Sequence, residues 1–206
     1  MLTLWGRTNS SNVMKVLWLC QELSIPYRRE DAGGVFGRTR EAAYRAMNPN
    51  SLIPTIEEDG FVLWESNAIL RYLARTRPGG TALYPEEPRA RGRVDQWLDW
   101  QLGTLTPPMA TVFYTLVRTP EPDRDLAALA KARDEAERLW RLLDAHLAGR
   151  DHVAGEFSLA DIALGPFIHR WYALPVERPE LPALAAWHDR LRRRDGFRAH
   201  IDQPLS

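Results

Sequence analysis

Asn48-Pro-Asn-Ser-Leu-Ile-Pro54, followed without a gap by Thr55-Ile-Glu-Glu-Asp-Gly-Phe-Val-Leu-Trp64 and Glu65-Ser-Asn-Ala-Ile69, is the stretch from which the fold can be read. Asp59-Gly60 between the short runs Thr55–Glu57 and Phe61–Trp64 is a strong two-residue hairpin signal. Pro54 stands directly ahead of the first of these strands, where it cannot donate a ladder hydrogen bond. An X–Pro bond is the one place where a cis peptide costs only ~0.5–1 kcal/mol. Ile53–Pro54 is therefore a candidate cis bond that turns the Ile53 backbone outward to pair with an extended peptide. Trp64-Glu-Ser66 then ends the second strand and starts a helix with Ile69, Leu70 and Leu73 facing inward. This places a carboxylate and a hydroxyl beside the free N–H groups of a helix terminus. Such a corner can take a carboxylate on the helix end and an ammonium on Glu65, both ends of an α-amino acid.

Working upstream, Leu2-Thr-Leu-Trp5 reads as a buried strand, and Val13, Val16, Leu17 and Cys20 form the stripe of an amphipathic helix. A strand at Tyr27–Asp31, a Gly33-Gly34 turn and a short helix near Glu41–Met47 follow, so the first part runs β-α-β-α-β-β-α. Downstream, Arg77-Pro-Gly-Gly80 and Pro85-Glu-Glu-Pro88 form a Pro/Gly-rich break of the kind that separates domains. Beyond it nothing alternates with period two. Ala90–Gly103 is helical around Val94, Trp97 and Leu98, and Leu126, Leu129, Leu139, Trp140, Leu143 and Leu147 make a longer stripe. Thr106-Pro-Pro108 is expected to interrupt a helix and help open a cleft. Ser158-Leu-Ala-Asp161 is a capping box with Asp in the place usually held by Glu.

Composition narrows the function classes. The chain has 206 residues, 45% hydrophobic and 26% charged, the make-up of an ordinary globular protein. Lys+Arg and Asp+Glu both number 27. Up to residue 80 there are 10 basic and 8 acidic side chains, so neither half is a polyanion-binding block and nucleic acid is not an expected partner. No run approaches the ~20 apolar residues that span a bilayer. With a single cysteine, Cys20, there is no intrachain disulfide and no cysteine metal cluster, which points to a reducing, cytoplasmic setting. Cys20 lies on the apolar stripe and reads as a buried hydrophobe. The eight tryptophans, among them Trp97, Trp100, Trp140, Trp171 and Trp187, read mainly as core.

The common enzyme templates are missing: no G-x-S-x-G, no Walker loop, no H-E-x-x-H and no C-x-x-C. The five histidines lack metal-ligand spacing, so no metal is expected. Thr8-Asn-Ser-Ser-Asn12 lies between the first strand and first helix, either as a plain cap or as an anion site on the helix N-terminus. Together with the Ile53 backbone and the Glu65-Ser66 corner, it describes a receptor for a small extended peptide with an α-amino acid head.

This combination resembles the cytosolic glutathione transferase superfamily over the whole chain. The carrying motifs are N-P-x-x-x-[IV]-P at Asn48–Pro54, E-S-x-A-I at Glu65–Ile69 and the capping segment at Ser158–Asp161. The resemblance implies an α/β thioredoxin-like first domain, residues 1–77, a linker at 78–88 and an all-α domain at 89–206. It also implies that Ile53, before Pro54, pairs with the cysteinyl part of glutathione, and that Glu65 and Ser66 hold its γ-glutamyl group. Ser10 resembles the thiol-activating serine of the serine-type classes, theta among them. Ser11 is adjacent, and Asn12 resembles an asparagine that contacts the sulfur in nu-type bacterial members. By the same likeness the enzyme is a homodimer using glutathione as co-substrate and needing no metal, and it attacks a small hydrophobic electrophile. Trp100, Thr106, Pro108, Met109, Phe113 and Tyr114 are candidates for the electrophile pocket.

Two departures from the pattern matter. Relatives often carry Gln, Lys or Arg where this chain has Leu52, so the glycine carboxylate of glutathione must find another cation, Arg7, Arg38 or Arg40, or go without. A glycine is common where Ser51 stands. Conjugation, glutathione-dependent disulfide reduction and a non-catalytic glutathione-binding module are the three readings that this pattern admits.

Overall fold

The computed structural model describes residues 1–206. Four strands, β1 (Leu2–Trp5), β2 (Tyr27–Glu30), β3 (Thr55–Glu58) and β4 (Phe61–Trp64), form one sheet in the order β2-β1-β3-β4. β1 pairs with β2 in parallel, and this geometry requires the crossover helix α1 (Ser11–Glu22) between them. β3 runs antiparallel to both β1 and β4. Asp59 (φ 51°) and Gly60 (φ 83°) make the two-residue turn of the β3–β4 hairpin, as their sequence predicts. α2 (Ala42–Met47) and α3 (Ser66–Thr76) complete this layer.

α1 is more deeply enclosed than its stripe suggests. Every residue from Val13 to Cys20 is buried, Lys15 included. One face lies on the sheet layer, and the other is covered by α8 (Leu159–Ala173) and α10 (Asp195–His200). Trp18 carries much of that second contact. Its ring fits where Gly165 of α8 and Gly196 of α10 leave room, and a Cβ at either glycine would stand 2.4 Å or 2.3 Å from the indole. Phe197 meets the same ring edge-on at 5.3 Å.

The expected linker is ordered and packed. It contains a one-turn helix, α4 (Gly80–Leu83), and both Leu83 and Tyr84 are buried. Tyr84 donates its hydroxyl proton to Asp95 at 3.0 Å. Glu87 caps α5 (Pro88–Trp100) by accepting from the Arg89 and Ala90 N–H groups, with Pro88 at the first turn where its missing donor does no harm. One apolar cluster runs through both parts of the chain, from Leu2 to Ile201.

Thr106-Pro-Pro108 does not break the helix, contrary to expectation. The backbone passes from α5 through a π-turn at Gln101–Leu105 into α6 (Thr106–Phe113), with Gln101, Leu105 and Thr106 all in the right-handed helical region. The wider turn absorbs the donors lost at Pro107 and Pro108. Thr106 compensates by donating its hydroxyl to the Gln101 carbonyl at 2.7 Å. A second π-turn, Tyr114–Arg118, follows, then α7 (Leu126–Leu147), α8 and α9 (Pro182–Arg192). The predicted capping box opens α8: Asp161 accepts from the Ser158 N–H at 3.0 Å, and Ser158 accepts from Ala160 at 3.3 Å. Asp161 is fully buried and also accepts from the Trp187 indole at 2.8 Å and the Val153 N–H at 3.1 Å. It thus ties α8 to α9 as well as capping its own helix.

Candidate active site

A cleft of about 360 Å³ opens where β1 ends, α1 begins and the α6–α8 region comes across. The sheet side supplies Arg7, Ser10, Ser11, Asn12, Gly33, Gly34 and Ser51–Ile53; Phe113, Tyr114 and Arg170 form the opposite wall. Gly6 lets the chain turn off β1 into the site. Its φ is 156°, and a Cβ there would stand 2.5 Å from Val13. Gly34, at φ 59°, leaves space for the Arg7 side chain, whose Nε would lie 2.9 Å from a Cβ.

The three candidate activating residues are brought together but are used differently. Ser10 is the N-cap of α1 in an extended conformation, and its hydroxyl makes no cap hydrogen bond. Its carbonyl accepts from Met14 at 2.8 Å, so the N–H groups of the turn before Met14 face the cleft end of the helix. The Ser11 hydroxyl is already engaged, accepting from Arg170 at 3.3 Å. The Asn12 side-chain oxygen accepts from the Ser66 hydroxyl at 3.3 Å, linking the start of α1 to the start of α3.

Ile53–Pro54 is a cis peptide, and the loop before it is held rigidly. The Leu52 carbonyl accepts from Tyr44 at 2.7 Å and from Asn48 at 2.9 Å, and both side chains also bond the Thr55 hydroxyl. Ser51 takes φ 56°, a left-handed position. Leu52 itself is 64% exposed. Glu65 caps α3 at φ 72°, a left-handed position for a side-chain-bearing residue, and such strain of about 1–3 kcal/mol persists where surrounding structure imposes it. Its neighbour Ser66 is buried.

Beneath this corner lies a residue that the sequence reading passed over. Lys15 is completely buried, and its ammonium donates to Gln101 Oε1 at 2.7 Å, Asn67 Oδ1 at 3.2 Å and Ser66 Oγ at 3.3 Å. Phe167 adds a ring face at 5.4 Å. No carboxylate lies within ion-pair distance. Burial pulls its pKa down to about 7, against the pull of Glu65 in the other direction. The chain Lys15–Ser66–Asn12 connects this charge to the cleft. The available signal was a lysine within the otherwise apolar run Val13–Cys20.

The second omission is Arg170, near the end of the largely apolar helix α8. It donates to Asn9 O at 3.1 Å and Ser11 Oγ at 3.3 Å, and its guanidinium lies 3.9 Å from the centre of the Phe113 ring. Of the expected electrophile-pocket residues, Phe113 and Tyr114 line the cleft. Trp100 instead packs edge-on against Trp97 at 5.2 Å, Thr106 is tied to Gln101, and Met109 is buried in the core. Among the alternatives for the glycine carboxylate, Arg38 is paired with Glu30 and stacked on Trp5, while Arg7 lines the cleft. Cys20 is buried and its thiol is pushed up to about 12 by burial, so the chain has no reactive thiol of its own.

Sequence comparison places these features in a known context. Residues 9–76 match the glutathione S-transferase N-terminal domain, and residues 127–190 match the glutathione S-transferase C-terminal domain. The glutathione S-transferase GstB of Escherichia coli is 40% identical, with both chains fully covered. The E. coli disulfide-bond oxidoreductase YfcG is 31% identical over 89% of this chain and 86% of its own. The theta class glutathione S-transferase of Xanthomonas axonopodis pv. citri, solved with glutathione bound, superposes with a TM-score of 0.95 at 44% identity, covering 100% of this chain and 99% of that one. Fold, site motifs and full-length similarity agree, and the chain belongs to the glutathione S-transferase family.

Proposed function

We propose that this protein is a glutathione transferase that binds glutathione along the cleft and presents its sulfur, as thiolate, to an electrophile. The γ-glutamyl group goes to Glu65 and Ser66, and the cysteinyl backbone pairs with Ile53. The sulfur points at the N-terminus of α1. Ser10 activates the thiol as a hydrogen-bond donor, with Asn12 assisting and Ser11 beside them. The observation that carries this reading is the uncommitted hydroxyl of Ser10 at the cleft end of α1.

The energetics suffice. A free thiol ionises near about 8.5. Lowering that by about two units requires about 2.7 kcal/mol of preference for the anion. One hydrogen bond to a charged acceptor supplies about 1.5–3 kcal/mol and a helix N-terminus about 0.3–1 kcal/mol. The thiolate then attacks carbon in a conjugation. Disulfide reduction would draw on the same bound thiolate, since Cys20 is inert. The ultraviolet absorbance of bound thiolate, titrated against pH, tests the reading. A depressed thiol pKa lost in Ser10→Ala, and kept in Ser11→Ala, supports it; glutathione binding with no depression makes the chain a binding module instead.

The family likeness further suggests a cytoplasmic homodimer. Phe61 on β4 is 46% exposed and packs against Tyr72 of α3 with ring centres 5.0 Å apart, an outward apolar pair suited to a partner subunit. A monomeric mass in solution refutes the dimer.

A further inference from the structure

Three arginines from distant parts of the chain meet at the cleft, Arg7 from its sheet side, Arg170 from the opposite wall and Arg118 from beside Phe113. Arg170 lies 3.9 Å, and Arg118 5.7 Å, from the centre of the same Phe113 ring. Arg7 reaches in from the end of β1, bonds Asn9, and leaves its buried Nε without a partner. None of the three pairs with an Asp or Glu, although 12 of the chain's other arginines do; Arg118 donates instead to the Ser206 oxygen. Arg7 and Arg170 line the cleft together with no Asp or Glu. Their mutual repulsion is real: burial first, and then the neighbouring arginines, hold Arg170 down to about 10. Arg7 is lowered by burial and by Arg118.

A wall built for a purely apolar co-substrate gains nothing from clustered guanidinium groups that no Asp or Glu faces, whereas an anion removes both the repulsion and the open hydrogen-bonding capacity. We propose that Arg170, with Arg7 and Arg118 beside it, forms an anion receptor that selects an electrophile carrying a carboxylate, with Phe113 and Tyr114 holding its apolar body. This rests on the transferase reading above and specifies its co-substrate class. For an aryl chloride bearing a carboxylate, the glutathione thiolate forms the C–S bond. Chloride leaves with the electrons of the C–Cl bond, and the thiol proton has already gone to solvent.

A matched pair, a chloronitrobenzoate and its methyl ester, gives the test. For each, kcat/KM is measured in wild type, Arg170→Gln and Arg170→Lys, with KM for glutathione alongside. The acid-to-ester ratio should fall by about tenfold or more in Arg170→Gln, mainly through KM for the acid, as expected for one lost charge-assisted bond. Arg170→Lys should restore part of it, and Arg118→Gln should move the ratio in the same direction. An unchanged ratio overturns the proposal and leaves Arg170 a role in the thiolate or the fold. A rise in glutathione KM with acid and ester equally affected also overturns it, because the anion is then the glycine carboxylate of glutathione. Turnover of neither compound refutes the transferase reading. Equilibrium binding of the unreactive nitrobenzoate and its ester then decides the anion receptor alone: equal affinity for the two, or no loss in Arg170→Gln, rejects it.

Discussion

Replacing Lys15 by methionine isolates the effect of one buried charge on stability. Methionine keeps the length and much of the packing of the lysine stem while removing the ammonium. In the folded protein Lys15 titrates at about 7, against 10.5 in an unperturbed chain. Between those values the unfolded chain holds a proton that the folded chain has released, so stability rises with pH through the interval. Below about pH 7 both states are protonated and the fold carries the whole cost of the buried ammonium. Above about 10.5 the cost is gone. At about 1.36 kcal/mol per pH unit the complete interval corresponds to about 5 kcal/mol, and the part between pH 7 and 9.5 to about 3 kcal/mol. Ser66, Asn67 and Gln101 lose a donor in the variant, but that loss does not depend on pH and cancels from the slope. Urea unfolding of both proteins at a fixed concentration, from pH 7 to 9.5, provides the measurement. Wild type should gain about 3 kcal/mol relative to Lys15→Met. A gap that stays constant across this range would mean that the three oxygens and the Phe167 ring hold the ammonium charged throughout, and the reasoning from burial would be refuted.

Two further substitutions probe how the site is held. Gly165→Ala places a methyl group 2.4 Å from the rigid Trp18 ring and should cost about 1–3 kcal/mol as α8 is pushed from α1, read as a lowered Tm; an unchanged Tm would show that the contact yields freely. Ser51→Gly relieves a side chain at φ 56° and should stabilise by about 0.5–1 kcal/mol, the left-handed penalty less the added freedom of glycine in the unfolded chain. Lower stability in urea would show that the serine is favoured there by something other than backbone geometry.

Features encoded over a few residues were legible in the amino-acid sequence. The Asp59-Gly60 hairpin, the proline at the head of β3, the Glu65-Ser66 start of α3 and the Ser158–Asp161 box each depend on local sterics or on a cap closed within one turn. The order of strands and helices in the first part followed from the same signals. Where the sequence misled, longer-range packing was responsible. The stripe on α1 showed one buried face, but α8 and α10 cover the other. Thr106-Pro-Pro108 signalled a break, yet a π-turn upstream carries the helix past it.

What the sequence alone determined, then, is the loop at Ile53–Pro54 and the Glu65-Ser66 corner, because each is built within one loop and the strand or helix that follows it. Only the tertiary structure decided which side chains share those corners. Lys15 meets Gln101 across 86 positions of chain, and Arg170 meets Asn9 across 161. Such charges are placed by helices packing on a common core, and no local pattern in the chain records where a side chain from a distant helix will point.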